Sequence, residues 1–185
     1  MFEIIPALLP KNVVDLKEKL ALLPKEIPLI HLDILEEDIW VEMDKDFEVH
    51  LMVKDPEAIL DRWIKRGARR IIIHSLGNRV SKVPESVEIG LGVEVHAALE
   101  EIFSLIPQVD FVHLMSIDNL GTQGDNFEPV IFDRIKKVKE KFPNLVISVD
   151  GGISSDNYQR LIDAGANRLV VGSKFEDLWN LLTKK

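Results

Sequence analysis

The sequence contains no cysteine, so no disulfide can staple the fold and no thiolate is available to a metal ion. Neither is needed at 185 residues, because a chain of this length buries roughly 70% of the surface that its unfolded form exposes. No apolar run approaches the roughly 20 residues of a membrane span. The opening Met1-Phe2-Glu3-Ile4-Ile5-Pro6 lacks the basic region and small-residue cleavage site of a secretion signal. The expectation is a cytoplasmic protein with no membrane partner. Positive charge is scarce: 23 Lys+Arg stand against 31 Asp+Glu, a net -8. The resulting pI near 5.2, without a Lys/Arg-rich cluster, argues against nucleic acid as a partner. An anionic substrate would have to be held by local backbone geometry, against the global field. Internal repeats and low-complexity linkers are absent, and one domain over 1–185 is the default at this length.

What is present is a regular alternation. Short β-branched runs and period-2 patterns predict eight strands, at 2–8, 28–34, 47–53, 69–75, 87–95, 109–117, 144–150 and 168–172. Helical patterns lie between several of them, at Val13–Leu23, Pro56–Arg66, Ala97–Ile106, Pro129–Lys141, Asn157–Ala164 and Phe175–Thr183. Strand–helix alternation implies parallel strands with right-handed crossovers, and eight strands suit a closed (β/α)8 TIM barrel better than an open sheet. Asp55-Pro56-Glu57 reads as an N-cap followed by proline at the first helical position, and Gly67 and Gly165 stand where left-handed C-terminal residues belong.

Two crossovers are too short for a normal helix. One is the acid-rich Leu35–Asp46, and the other is Leu76–Pro84, broken by Gly77 and Pro84. Outward residues Val49, Leu51, Val53, Ile71 and Ile73 would then lack a covering helix. A second subunit, meeting the chain near 34–46 or 76–86, is the simplest cover, so a homo-oligomer is expected. Trp40 is expected to plug that interface or to close over substrate.

Strand side chains alternate between faces, so His31 and Asp33 share one, as do His50 and Met52, and Ser148 and Asp150. If these faces point inward, two histidines and two aspartates converge near the C-terminal ends of strands 2, 3 and 7, where barrel active sites sit. His31, Asp33, His50 and Asp150 are a suitable mixed N/O shell for Zn²⁺, Mn²⁺ or Fe²⁺, one ion per chain, able to stabilise an oxyanion beside it. Taken singly, each also fits a hydrogen-bonded core histidine or a capping aspartate. Small-residue turns follow strands 6, 7 and 8: Gly121-Thr122-Gln123-Gly124, Gly151-Gly152 and Gly172-Ser173. Loops after strands 7 and 8 commonly cradle phosphate in this architecture. His74 reads as a neighbour of the site or a core histidine, His113 as core packing beneath Met115, and His96 as a cap or surface residue.

These residues together resemble the ribulose-phosphate 3-epimerase family. The segments that carry the resemblance are Ile5-Pro6, His31-Leu32-Asp33, Val49-His50-Leu51-Met52-Val53, Asp55-Pro56-Glu57, the strand ending at His74, Val109 through Ser116, Val149-Asp150-Gly151-Gly152-Ile153, and Ala164 through Ser173. The chain is similar to a shortened, divergent member. Ala7 follows Pro6 where the family usually has serine. Ile34-Leu35-Glu36-Glu37-Asp38 replaces a Met-Asp-Gly stretch, and the strand-6 loop reads Asn119-Leu120-Gly121-Thr122-Gln123-Gly124. The resemblance implies a metal on His31, Asp33, His50 and Asp150, with Asp33 and Asp150 as acid and base on opposite faces of C3. D-ribulose 5-phosphate and D-xylulose 5-phosphate would interconvert through a 2,3-enediolate, with Met52 and Met115 capping the pocket. The alternative is a non-catalytic barrel that binds a phosphorylated metabolite or serves as an assembly subunit.

Overall fold

The computed structural model describes residues 2–36 and 38–183. Eight parallel strands, paired in chain order, close into a barrel. They are β1 (Glu3–Leu8), β2 (Leu29–Ile34), β3 (Asp46–Leu51), β4 (Arg70–Ile73), β5 (Glu88–Val93), β6 (Phe111–Met115), β7 (Val146–Asp150) and β8 (Arg168–Val171). All eight predicted strands are present, and most are one or two residues shorter at the ends. The helices are α1 (Val13–Leu22), α2 (Leu60–Lys65), α3 (Leu99–Ile102), α4 (Ile131–Lys141), α5 (Tyr158–Ala164) and α6 (Phe175–Thr183). Two predicted helices are broken. Pro56–Ala58 forms a separate 3-10 turn before α2, capped by Asp55, whose carboxylate accepts from the Ala58 N–H. The predicted helix 97–106 shrinks to α3, followed by a 3-10 turn at Ile106–Gln108. Pro107 there has no N–H to continue an α ladder. Gly67 and Gly165 take φ values of +89° and +118°, as their C-terminal positions require.

The strand register stacks inward side chains in layers. At the N-terminal mouth, Glu48, Arg70 and Glu88 are adjacent across β3, β4 and β5, and Glu3 is beside Arg168 across β1 and β8. Arg70 Nη1 donates to Glu48 (3.0 Å), Arg70 Nη2 to Glu3 (3.0 Å) and Arg168 Nη2 to Glu88 (2.8 Å). Burying charges costs several kcal/mol each unless they are paired, and here they are. This ionic floor carries a middle layer containing Ile5, Ile72 and Phe111, above which the polar residues of the C-terminal half begin.

The two crossovers anticipated to lack a helix do lack one among the described residues: no helix lies between β2 and β3, and only the 3-10 turn Val80–Lys82 lies between β4 and β5. The expectation that they leave strands uncovered is corrected. Val49, Leu51, Ile71 and Ile73 are at most 1% exposed within the single chain, and only Val53 is half-buried. Ile39 and Trp40 fold back from the β2–β3 connection onto the barrel. The Trp40 ring centroid lies 4.9 Å from that of Phe47 and 5.7 Å from that of Trp63. The Arg66 guanidinium stacks over both tryptophans and is held by Asp38. On the other side, Leu76, Val80 and Val83 join the hydrophobic core. Trp40 therefore covers its own barrel, and the ground for expecting a second subunit at these staves falls away. Glu37, within the anticipated 34–46 contact, lies outside the described residues. Among the described residues, no helix is long and apolar enough to cross a membrane.

Candidate active site and metal centre

Alternation on β2, β3, β6 and β7 points His31, His50, His113 and Asp150 into the barrel, where their donor atoms converge. One donor atom from each lies within 4.8 Å of every other. All three histidines are fully buried, and Asp150 is 8% exposed. Asp33 stands beside them: its Oδ1 is 3.1 Å from His31 Nε2 and 3.4 Å from His50 Nδ1. Asp150 Oδ2 is 3.3 Å from His113 Nε2, 3.8 Å from His50 Nδ1 and 3.9 Å from His31 Nε2. On the far side of the rings, His31 Nδ1 lies 2.7 Å from Glu48 Oε1, and His50 Nε2 lies 2.8 Å from His74 Nε2. His74 has room because β5 carries glycine opposite it; a Cβ on Gly92 would sit 2.7 Å from its ring nitrogen.

Burial and neighbours set the protonation of these groups. Burial opposes charge on His31, but the carboxylates of Asp33 and Glu48 outweigh it and raise its pKa well above the usual imidazole value. Burial likewise works against ionised Asp33, yet His31 and His50 hold it below the ordinary carboxylate range. Asp150 goes the other way. Burial, reinforced by Asp33 and partly offset by His31, pushes it up to about 6. His50 is lowered by burial, and His74 and His113 are lowered to about 3 for the same reason.

Among these donors, His50 Nδ1 is buried with no hydrogen-bond partner among the described residues. A buried polar atom left unsatisfied costs about 1–3 kcal/mol, and such an orphan calls for an explanation. The outer Nε2 is engaged by His74, and the inner Nδ1 faces two carboxylate oxygens, Asp33 Oδ1 at 3.4 Å and Asp150 Oδ2 at 3.8 Å. Lone pairs from imidazole and carboxylate converging on one point fit a divalent cation, and the mixed N/O donor set suits a borderline one.

Above this cluster, at the C-terminal end of the barrel, a cavity of about 260 Å³ opens. Asp33 and Asp150 are in its floor, and Met52, Met115 and Ala7 line it. Gly121, Gly124, Gly151, Gly152, Gly172 and Ser173 complete the wall. Gly151 and Gly152 have φ of +111° and +60°, and a Cβ on Gly152 would meet the Phe127 backbone at 2.9 Å. Only glycine permits this path at no steric cost.

The structure thus brings together all the expected residues, with one addition. The group whose donor atoms all lie within 4.8 Å of one another contains His31, His50 and Asp150 as anticipated, together with His113, and Asp33 stands beside it. His113, read as core packing, is buried as expected, but its Nε2 faces Asp150. A signal was available: His50 precedes Met52 by two residues just as His113 precedes Met115, so both occupy the layer beneath the pocket rim. Glu48, two residues before His50 in the same strand, was not singled out, though alternation alone turns it to the face of His50 and Met52. Lys174, a cation directly after Gly172-Ser173, was missed and lines the cavity. His96 is a surface residue, 2.8 Å from Asp118.

The fold is that of the alpha-subunit of tryptophan synthase from Pyrococcus furiosus, with a TM-score of 0.66 over 94% of this chain and 89% of that one at 16% identity. Sequence relatives lie elsewhere. Ribulose-phosphate 3-epimerase of Bacillus subtilis is 30% identical over 141 residues (70% of this chain, 64% of the relative). That of Chlamydia trachomatis is 32% identical over 140 residues (69% and 60%), and that of Eremothecium gossypii 28% over 133 residues (69% and 55%). The aligned region spans only 55–64% of the length of these relatives. The profile of the Ribulose-phosphate 3 epimerase family matches residues 3–175, nearly the whole chain, and the protein belongs to that family.

Proposed function

We propose that the chain is a metal-dependent sugar-phosphate epimerase, interconverting D-ribulose 5-phosphate and D-xylulose 5-phosphate in the cytoplasm. The observation that carries this reading is the pair of carboxylates, Asp33 on β2 and Asp150 on β7, in the floor of a glycine-walled cavity. Inverting a carbon that bears a proton requires a base on one face and an acid on the other. Asp33 takes the C3 proton, and Asp150 returns one from the opposite face. In the reverse direction the roles exchange.

His31, Asp33, His50 and Asp150 would hold a Zn²⁺, Mn²⁺ or Fe²⁺ ion, which supplies positive charge that offsets the negative charge of the 2,3-enediolate. The phosphate would sit against the backbone N–H groups of Gly151-Gly152 and Gly172-Ser173, with Lys174 beside them, as expected for the loops after β7 and β8. These local contacts would hold a dianion despite the net charge of -8. Met52 and Met115 would press apolar surface on the sugar and keep water from C3.

Incubating the zinc-loaded chain with ribulose 5-phosphate in D₂O and following C3 by NMR tests the reading directly. Exchange of the C3 proton accompanied by xylulose 5-phosphate is the expected result. A loaded protein that binds the sugar phosphate and exchanges nothing is instead the non-catalytic binding barrel.

A further inference from the structure

We propose, resting on the metal-dependent reading above for the presence of an ion, that His113 is a metal ligand, so that the site presents three imidazoles. Two donors each about 2.1 Å from one tetrahedral ion are about 3.4 Å apart. Five separations across this cluster bracket that value: 3.1 Å and 3.4 Å from Asp33 to His31 and His50, and 3.3 Å, 3.8 Å and 3.9 Å from Asp150 to His113, His50 and His31. His113 therefore stands to Asp150 as His31 and His50 stand to Asp33.

The outer faces of the rings make the same point. A ligating histidine almost always has its other nitrogen tied to an outer partner that fixes the ring and its tautomer. His31 has Glu48 at 2.7 Å, His50 has His74 at 2.8 Å, and His113 has Ser148 Oγ at 3.1 Å from Nδ1. With Nδ1 tied to Ser148, Nε2 of His113 faces the same point as the other two rings, 3.3 Å from Asp150 Oδ2. His113 and His31 lie parallel, interplanar angle 9°, with centroids 5.4 Å apart, and His50 is edge-on to both. Three nitrogens with one or two carboxylates select borderline ions such as Zn²⁺ or Fe²⁺ over Mg²⁺, which prefers oxygen alone.

The wild-type chain, labelled with ¹⁵N in its five histidines, can be titrated with ¹¹³Cd²⁺ and the ring nitrogens split by one-bond coupling to cadmium counted. Three split resonances are expected, from His31, His50 and His113; two would overturn the proposal while leaving a metal on the other four residues. In parallel, Zn²⁺ competition against a chromophoric chelator should show His113→Gln at least about tenfold weaker than wild type. An affinity unchanged by that substitution would also overturn it. Neither readout involves the sugar, so three ligating rings in a chain that fails to exchange C3 would sustain the ligand assignment and reject the epimerase. A wild-type chain that binds neither ion would reject both.

Discussion

Glu48 Oε1 lies 2.7 Å from Nδ1 of His31, deep inside the barrel. That contact joins the ionic floor, through Arg70, to the chemistry above it. An anionic acceptor fixes the proton of His31 on Nδ1 and leaves Nε2 facing Asp33.

Glu48 should make the fold acid-sensitive. Burial would raise its pKa, but His31 and Arg70 outweigh it and lower it from 4.5 to about 2. A depressed carboxylate contributes stability that is present above its unfolded pKa and is lost as pH falls through the folded one. The loss is expected between about pH 4.5 and 2. Glu48→Gln should cost about 3 kcal/mol at pH 7, since it leaves Arg70 less compensated, and should flatten the acid limb. Urea midpoints across pH check both, and a wild-type slope in the variant would remove Glu48 from the account.

Asp33→Asn and Asp150→Asn should each reduce C3 exchange by 10² to 10⁴-fold, the usual range for a lost general acid or base. An amide neither accepts the proton nor returns one. Zinc content is measured alongside, because both residues are also expected ligands. A variant that keeps its metal and more than roughly a tenth of wild-type exchange would refute the two-carboxylate mechanism.

Asp150 should be a liability to the fold when no cation balances it. Its folded pKa is raised from 3.8 to about 6, so its contribution is full below pH 3.8 and is lost as pH rises through about 6. With a chelator at pH 8, Asp150→Asn should be more stable than wild type by on the order of 1–3 kcal/mol. That advantage should vanish near pH 4. Adding Zn²⁺ at pH 8 should raise the wild-type melting temperature more than that of the variant. Equal melting temperatures at pH 8 under chelator would show that Asp150 is not strained by burial.

Gly92→Ala would place a methyl group 2.7 Å from the His74 ring. Overpacking of this kind costs about 1–3 kcal/mol, and the ring must shift away from His50. Thermal melts should report the cost, and Zn²⁺ affinity should weaken as His50 loses its outer partner. Gly67→Ala, where nothing lies within 4 Å, serves as the comparison: it should destabilise through its positive φ alone and leave Zn²⁺ affinity unchanged.

The amino-acid order alone determined the barrel and the mouth of its site. Period-2 runs such as His31-Leu32-Asp33 set which residues face inward. Glycine at 121, 124, 151 and 152 marked turns with positive φ, and those turns do line the cavity. Local rules suffice for such features because backbone geometry depends on near neighbours. Tertiary structure alone decided the rest. Trp40 covers its own strands because Phe47 on β3 and Trp63 on α2 present rings to it. Glu48 is buried because Arg70 stands beside it across the sheet. His113 enters the polar cluster because barrel closure brings β6 beside β7 and opposite His31 and His50. Alternation could state that His113 points inward. Which carboxylate its nitrogen meets depends on the stagger of strands around a closed ring, and no local pattern contains that.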